Sequence, residues 1–186
     1  MLRVITGKLK GHKLKAPKGM STRPTADRVK ESIFNIIGYI PENSTVLDLF
    51  AGSGNIGIEF LSRGASRCYF IDNSHVSTSI IKENLEATNL SNQAQIYKNY
   101  VDRALTILGS KNICFDFIFM DPPYEKDLVA PTIEALYINR LLDEEGIVII
   151  EHETKASLEE EYLGLIRYDA RKYGGTTVSF YKHKEV

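Results

Sequence analysis

Apolar and polar positions along the chain follow two periods, and the changes between them predict most of the elements. Leu2, Val4, Ile5, Leu9 and Leu14 alternate loosely with lysines and are broken by Gly7 and Gly11. That predicts a β-hairpin or two short strands over 2–15, lysines outward. Pro17 to Pro24 reads as a loop. Thr25 then caps a helix over 26–37 with Val29, Ile33, Ile36 and Ile37 on its apolar face, and Gly38 ends it. Thr45 to Leu49 is a β-rich apolar run that breaks into small residues at 51–54. A helix follows it, with Ile56, Ile58, Phe60 and Leu61 as apolar positions and Gly64 at its end. From there the pattern gives strand 67–71, helix 74–88, strand 94–98, helix 102–109, strand 115–120, helix 128–138 and strand 146–151. A short helix near 155–161 leads to two last strands, 164–171 and 176–183, joined through Gly174-Gly175 as an antiparallel hairpin at the sheet edge.

Alternating strands and helices are the mark of a parallel sheet wound on both faces. The expected fold class is α/β and Rossmann-like: a seven-stranded, mostly parallel sheet whose last pair is antiparallel. Residues 41–186 would form that domain, and residues 1–40 a small hairpin-and-helix extension.

Composition narrows the class. At 186 residues with 43% apolar and 25% charged content, the chain has the makeup of one soluble domain. No apolar run approaches the roughly 18–20 residues of a membrane span, and the basic stretch Met1 to Gly11 has no apolar signal segment. Cys68 and Cys114 sit in strand-like runs, which predicts buried, reduced thiols and a cytoplasmic protein. There is no C-x-x-C, and His12, His75, His152 and His183 are scattered, so no metal site is predicted. The net charge of −1 conceals an asymmetry. Residues 1–37 carry nine Lys and Arg against Asp27 and Glu31, leaving an acidic remainder. A basic arm on an acidic body fits a polyanionic partner, with Lys8, Lys10, Lys13, Lys15, Arg23 and Arg28 as candidate contacts.

The chemistry centres on Thr45 to Gly57. Gly52, Gly54 and Gly57 fit G-x-G-x-x-G, with Asp72 about twenty residues on, as in a dinucleotide site. Asp48 at the strand end argues against that ligand, because a carboxylate would repel a pyrophosphate in a low-dielectric turn. It suits a nucleoside with a cationic amino-acid tail and no phosphate, which describes S-adenosylmethionine. The second motif, Asp121-Pro122-Pro123-Tyr124, follows the fourth strand of the core and so belongs at the same carboxyl edge. A carboxylate and a backbone carbonyl can each accept one N–H of an exocyclic base amine, aiming its lone pair at a methyl donor. Pro123 biases Pro122 toward an extended backbone, and Tyr124 offers a ring for an extruded base.

Asp48-Leu49-Phe50-Ala51-Gly52-Ser53-Gly54 and Asp121 to Tyr124 resemble two motifs of amino-group methyltransferases. Arg3-Val4-Ile5-Thr6-Gly7 and the run Arg23 to Asn35 resemble the N-terminal signature of the RsmD-type family, a resemblance that runs essentially end to end and includes Val148 to His152. It implies a S-adenosylmethionine-dependent enzyme methylating N2 of a guanine in 16S ribosomal RNA, guanine 966, on naked RNA or an assembly intermediate, as a monomer. It also implies that Asp48, Phe50, Ala51, Gly52, Ser53 and Gly54 line the cofactor site and that Asp72, with Asn73 beside it, takes the ribose. Adenine would be met by Asn99, by the Val101 backbone or by stacking on Tyr100, where relatives tend to carry Asp or Asn. The residues leave other classes open: a DNA adenine or cytosine methyltransferase, an NAD-dependent oxidoreductase, or a non-catalytic RNA-binding module.

Overall fold

The computed structural model describes residues 2–17, 24–123 and 127–184, with only the backbone of 24–26. Two short strands, β1 (Leu2–Arg3) and β2 (Lys13–Leu14), pair antiparallel, and α1 (Pro24–Ile37) follows. The core then runs β3 (Thr45–Leu49), α2 (Asn55–Ser62), β4 (Arg67–Asp72), α3 (His75–Ala87), β5 (Ala94–Lys98), α4 (Val101–Gly109), β6 (Phe115–Met120), α5 (Val129–Ile138) and β7 (Leu142–Glu153). The chain closes with β8 (Glu161–Tyr162), β9 (Leu165–Tyr173) and β10 (Thr176–His183).

The large sheet has the order β5-β4-β3-β6-β7-β10-β9-β8. The first five strands are parallel, and β10, β9 and β8 join antiparallel. The chain winds outward from β3 to β5, then returns to lay β6 against the other side of β3. That reversal opens a crevice at the carboxyl ends of β3 and β6, the usual ligand site of such sheets. Alternation along the strands feeds two cores. Val46, Phe70, Phe117, Phe119 and Ile149 pack with α1, α2, α3 and the N-terminal hairpin. Leu47, Ile71, Ile118, Met120 and Ile150 pack with α4 and α5.

Three expectations are corrected. Among the described residues the sheet has eight strands, not seven, because β8 adds to its edge. No helix forms over 155–161, since that segment's carbonyls bond to neighbouring strands instead of to a next turn. Glu159 O accepts from Tyr181 Oη at 2.7 Å, and Glu160 O from Arg167 N at 2.9 Å. Cys114 is exposed, because β6 begins one residue after it; Cys68 is buried as expected. Among the described residues no helix is long and apolar enough to cross a membrane, and no cluster of three metal-ligating side chains occurs.

Candidate active site

β3 ends in a turn that only unusual backbone can make. Phe50, Gly52 and Gly54 have φ of 57°, 56° and 74°. Glycine takes such angles without strain, while Phe50 does so at a cost that the surrounding bonds must meet. Those bonds come from acids at the strand ends. Asp72 at the end of β4 accepts from Gly52 N through Oδ2 at 2.9 Å and from Ser74 N through Oδ1 at 2.8 Å. Asp48 accepts from Gly57 N at 2.9 Å. Gly57 itself is required by packing, since a Cβ there would fall within 2.6 Å of Cys68 Sγ and closer still to the Phe70 ring.

The turn opens onto a cleft of about 1140 Å³. Of the residues predicted for the cofactor, Asp48, Phe50, Ala51, Gly52, Ser53, Asp72, Asn73, Asn99, Tyr100, Val101 and Asp121 line it. Gly54 does not, its face being turned to Phe70 and Ile81 behind the turn. Pro122 and Pro123 line the same cleft, so the two sequence motifs meet across the β3/β6 reversal. Tyr124 and Arg23 lie outside the described residues. Asn99 Oδ1 accepts from Tyr100 N at 3.0 Å, and the Tyr100 ring is 68% exposed at the rim. Asn99, Tyr100 and Val101 all reach the cleft, and the geometry does not choose among them as the adenine contact.

Side-chain alternation puts four acids on one face of the sheet. Asp48 shares its face with Val46, Asp72 with Phe70, Asp121 with Phe119, and Glu151 with Ile149. Asp48 is 1% exposed, and burial pushes its carboxyl well above the ordinary range against the Gly57 N–H bond, with Asp121 and Asp72 adding to the rise. Asp121 is exposed at the cleft, yet desolvation by the protein around it pushes it up to about 6. Glu151 is pushed up to about 8 by desolvation and then by the Asp121 charge. With Asp102 the described cleft lining holds five carboxylates and one cation, Lys30.

That cation is spent. Lys30 is 1% exposed, with Nζ bonded to the Arg3 carbonyl, 2.7 Å from Asn55 Oδ1 and 3.1 Å from Glu59 Oε2. Glu59 is fully buried and also accepts from Ile5 N at 2.8 Å, Thr6 N at 2.9 Å and Arg63 Nε at 2.9 Å. The N-terminal hairpin is thereby tied to α2. A second tie is the buried Asn84, which donates to Ser53 O at 2.9 Å and Lys15 O at 3.0 Å and accepts from Lys15 N at 2.8 Å. It joins the glycine turn to the basic arm. Lys8, Lys10, Lys13, Lys15 and Arg28 are exposed. Of these, Lys8 meets Gln93 and Lys15 pairs with Glu83.

Glu151, Asn84 and the Lys30–Glu59 pair were not singled out from the sequence. Glu151 carried a usable signal, since it ends the fifth core strand as Asp121 ends the fourth. The other three carried none beyond ordinary helix composition.

The pattern of a family described as conserved hypothetical protein 95 matches residues 2–182. The chain is 41% identical to the YlbH protein of Bacillus subtilis (strain 168), across 98% of its own length and 100% of that protein's. It is 32% identical to ribosomal RNA small subunit methyltransferase D of Escherichia coli (strain K12), over 84% of this chain and 77% of that one. A solved structure of the Escherichia coli yhhF protein superposes with a TM-score of 0.84 at 31% identity, covering 98% of this chain and 97% of the other.

Proposed function

The chain belongs to the family described as conserved hypothetical protein 95, that of ribosomal RNA small subunit methyltransferase D, and on that footing we propose that it methylates the exocyclic N2 amine of a guanine in small-subunit ribosomal RNA. The methyl donor is S-adenosylmethionine and the target is the guanine that the family resemblance implies, guanine 966. The observation that carries the reading is the meeting of the glycine turn and the Asp121-Pro122-Pro123 segment in one acidic cleft.

The donor set fits a cation. Among the described residues the cleft is lined by five carboxylates and one cation, which Glu59 already neutralises, and this suits a ligand bearing sulfonium and ammonium charges better than a pyrophosphate. This disfavours the NAD-dependent alternative. When bound, S-adenosylmethionine supplies an electrophilic methyl group on sulfur. Asp72 keeps lone pairs beyond its two backbone bonds, and these would accept from ribose hydroxyls. Asp48 holds the turn in shape through Gly57. Asp121 accepts one N–H of the target amine and the Pro122 carbonyl the other, which aims the nitrogen lone pair along the transfer path. The N–C bond forms as the sulfur–carbon bond breaks. Positive charge grows on the nitrogen, Asp121 stabilises it, and the surplus proton passes to a carboxylate oxygen.

The arm supplies the electrostatic side. Lys8, Lys10, Lys13 and Lys15 stand on a hairpin fixed to α2 by Glu59, and its neighbours Leu2 and Ala16 border the cleft. Phosphates held there, with Arg28 on α1, would lead an RNA strand toward Asp121, and Arg23, outside the described residues, is a further candidate contact. The protein then works as a cytoplasmic monomer on 16S ribosomal RNA or a small-subunit assembly intermediate.

The test is transfer of labelled methyl to small-subunit RNA from a strain lacking the gene, with the product nucleoside identified by mass spectrometry. N2-methylguanine at one position is the expected product. N6-methyladenine or N4-methylcytosine would overturn the choice of base, and tighter binding of NADH than of S-adenosylmethionine would overturn the reaction.

A further inference from the structure

Glu151 has no partner that explains it. It ends β7 next to β6 in parallel register, Met120 opposite Ile150, so it stands one strand over from Asp121, about 5 Å between backbones. Both project from the same face into the cleft. Among the described residues no hydrogen bond or ion pair is made by either carboxylate, although desolvation raises both acids. Two adjacent carboxylates without a cation are costly, and a fold has no structural need of the second.

Their order across the sheet assigns it a task. The glycine turn and Asp72 place the cofactor over β3 and β4, and Asp121 places the amine at the end of β6. Glu151, on β7, lies on the side of the amine away from the cofactor, so a base whose Watson–Crick edge turns toward β7 would bring to it the ring atom beside the amine. In guanine the ring atom on the Watson–Crick edge beside N2 is N1, which carries a hydrogen. In adenine and cytosine the corresponding atoms, N1 and N3, are unprotonated acceptors. A carboxylate oxygen therefore attracts guanine at this point and repels the other two amino bases.

We propose that Glu151 is the residue that selects guanine, by accepting the N1–H beside the N2 amine that Asp121 and the Pro122 carbonyl hold. The inference rests on the proposed guanine-N2 activity and supplies the base specificity that an Asp-Pro-Pro motif lacks. Near neutral pH the pair holds about one proton between them, which limits the repulsion, and selection against an unprotonated ring nitrogen is complete above about pH 8, where Glu151 has no O–H to donate. The other charged groups lining the cleft are Asp48, Asp72 and Asp102, together with Lys30, which is held by Glu59.

The discriminating probe is 2-aminopurine placed in the RNA at the methylated position. It keeps the 2-amine but has an unprotonated N1. Above about pH 8, where Glu151 can only accept, the wild type should methylate it at least about 100-fold more slowly than guanine, since an acceptor facing an acceptor is left unpaired, and the ratio should narrow as pH falls and Glu151 gains an O–H. Glu151→Gln can turn an amide N–H toward N1, so it should lose rate on guanine and gain rate on 2-aminopurine, narrowing the ratio to within about tenfold. Glu151→Ala should lose rate on guanine without the gain. S-adenosylmethionine binding, measured on each variant, should stay within about threefold and certifies the fold. An unchanged guanine to 2-aminopurine ratio in Glu151→Gln would overturn this inference alone. Wild-type methylation of adenine or cytosine would overturn both this inference and the guanine-N2 reading.

Discussion

Removing Glu59 should detach the basic arm, and the structure sets the size of the effect. Its carboxylate is 0% exposed and takes four donors: Ile5 N, Thr6 N, Lys30 Nζ and Arg63 Nε. In Glu59→Ala, Arg63 and Thr6 can turn to water, but the Lys30 ammonium is 1% exposed and keeps only Asn55 Oδ1 and a carbonyl. Burial already lowers the Lys30 pKa, with Glu59 the main influence opposing it. Stranding one partner of a buried pair costs about 3–5 kcal/mol. For a chain of this length that corresponds to a fall in melting temperature of roughly 6–20 °C. Urea unfolding followed by circular dichroism measures the loss, and hydrogen exchange at Ile5 and Thr6 reports whether the hairpin has come free. Lys30→Met with Glu59→Leu removes both charges, and should recover more than half of the loss because apolar replacement of a buried pair is often near neutral. A loss below about 1 kcal/mol in Glu59→Ala would mean the pair holds nothing together. A double variant no better than the single would mean the cost lies in the backbone donors instead.

Asp121→Ala should lower kcat by about 10²–10³ or more in single-turnover transfer, with Asp121→Asn between it and wild type, since the lost interaction strengthens in the transition state. Near wild-type turnover would make the Asp121 turn structural. Asp72→Ala should weaken S-adenosylmethionine binding by roughly 1.5–3 kcal/mol in titration calorimetry, and an unchanged affinity would move the ribose contact elsewhere. Replacing Lys8, Lys10, Lys13 and Lys15 together by Ala should weaken RNA binding and flatten its salt dependence by about 0.7–0.9 log units per lost contact, with no change in cofactor affinity. An unaltered slope would show that the arm does not touch phosphate. Asp121 and Glu151 hold protons more tightly folded than unfolded, so their contribution to stability falls as pH rises from about 4 to 8. Urea unfolding at steps across that range should show the midpoint drop as pH rises, and a flat profile would mean that neither acid is perturbed.

The sequence is legible where function sits in local order. The strand ends at Leu49 and Met120 are marked by apolar runs that stop at a small-residue turn and at Asp-Pro-Pro, and both appear where the pattern puts them. What the pattern misses depends on contacts between distant residues. The 155–161 segment looks helical by its acids and alanine, but its carbonyls meet Tyr181 and Arg167 across the sheet edge. Lys30 counts toward a basic arm in any tally of charge, yet it is buried against Glu59 from another helix. Glu151 becomes a neighbour of Asp121 only through the register of β6 and β7.

Gly57 shows how a motif can be matched for a reason other than the one it suggests. It completes G-x-G-x-x-G, and in a dinucleotide fold the third glycine allows close packing of helix on strand. Here it does the same, with Phe70 and Cys68 filling the space a Cβ would need, while its N–H is taken by Asp48. The third glycine of the fingerprint therefore reports packing shared by many nucleotide-binding sheets and says nothing of a pyrophosphate. The ligand is distinguished by the residue before the turn. An acid at the end of β3 that accepts from the helix removes one N–H a phosphate would use. Asp72 does likewise at Gly52 N. Two of the turn's donors are thus consumed by the protein's own carboxylates, and the site that results is built to meet positive charge.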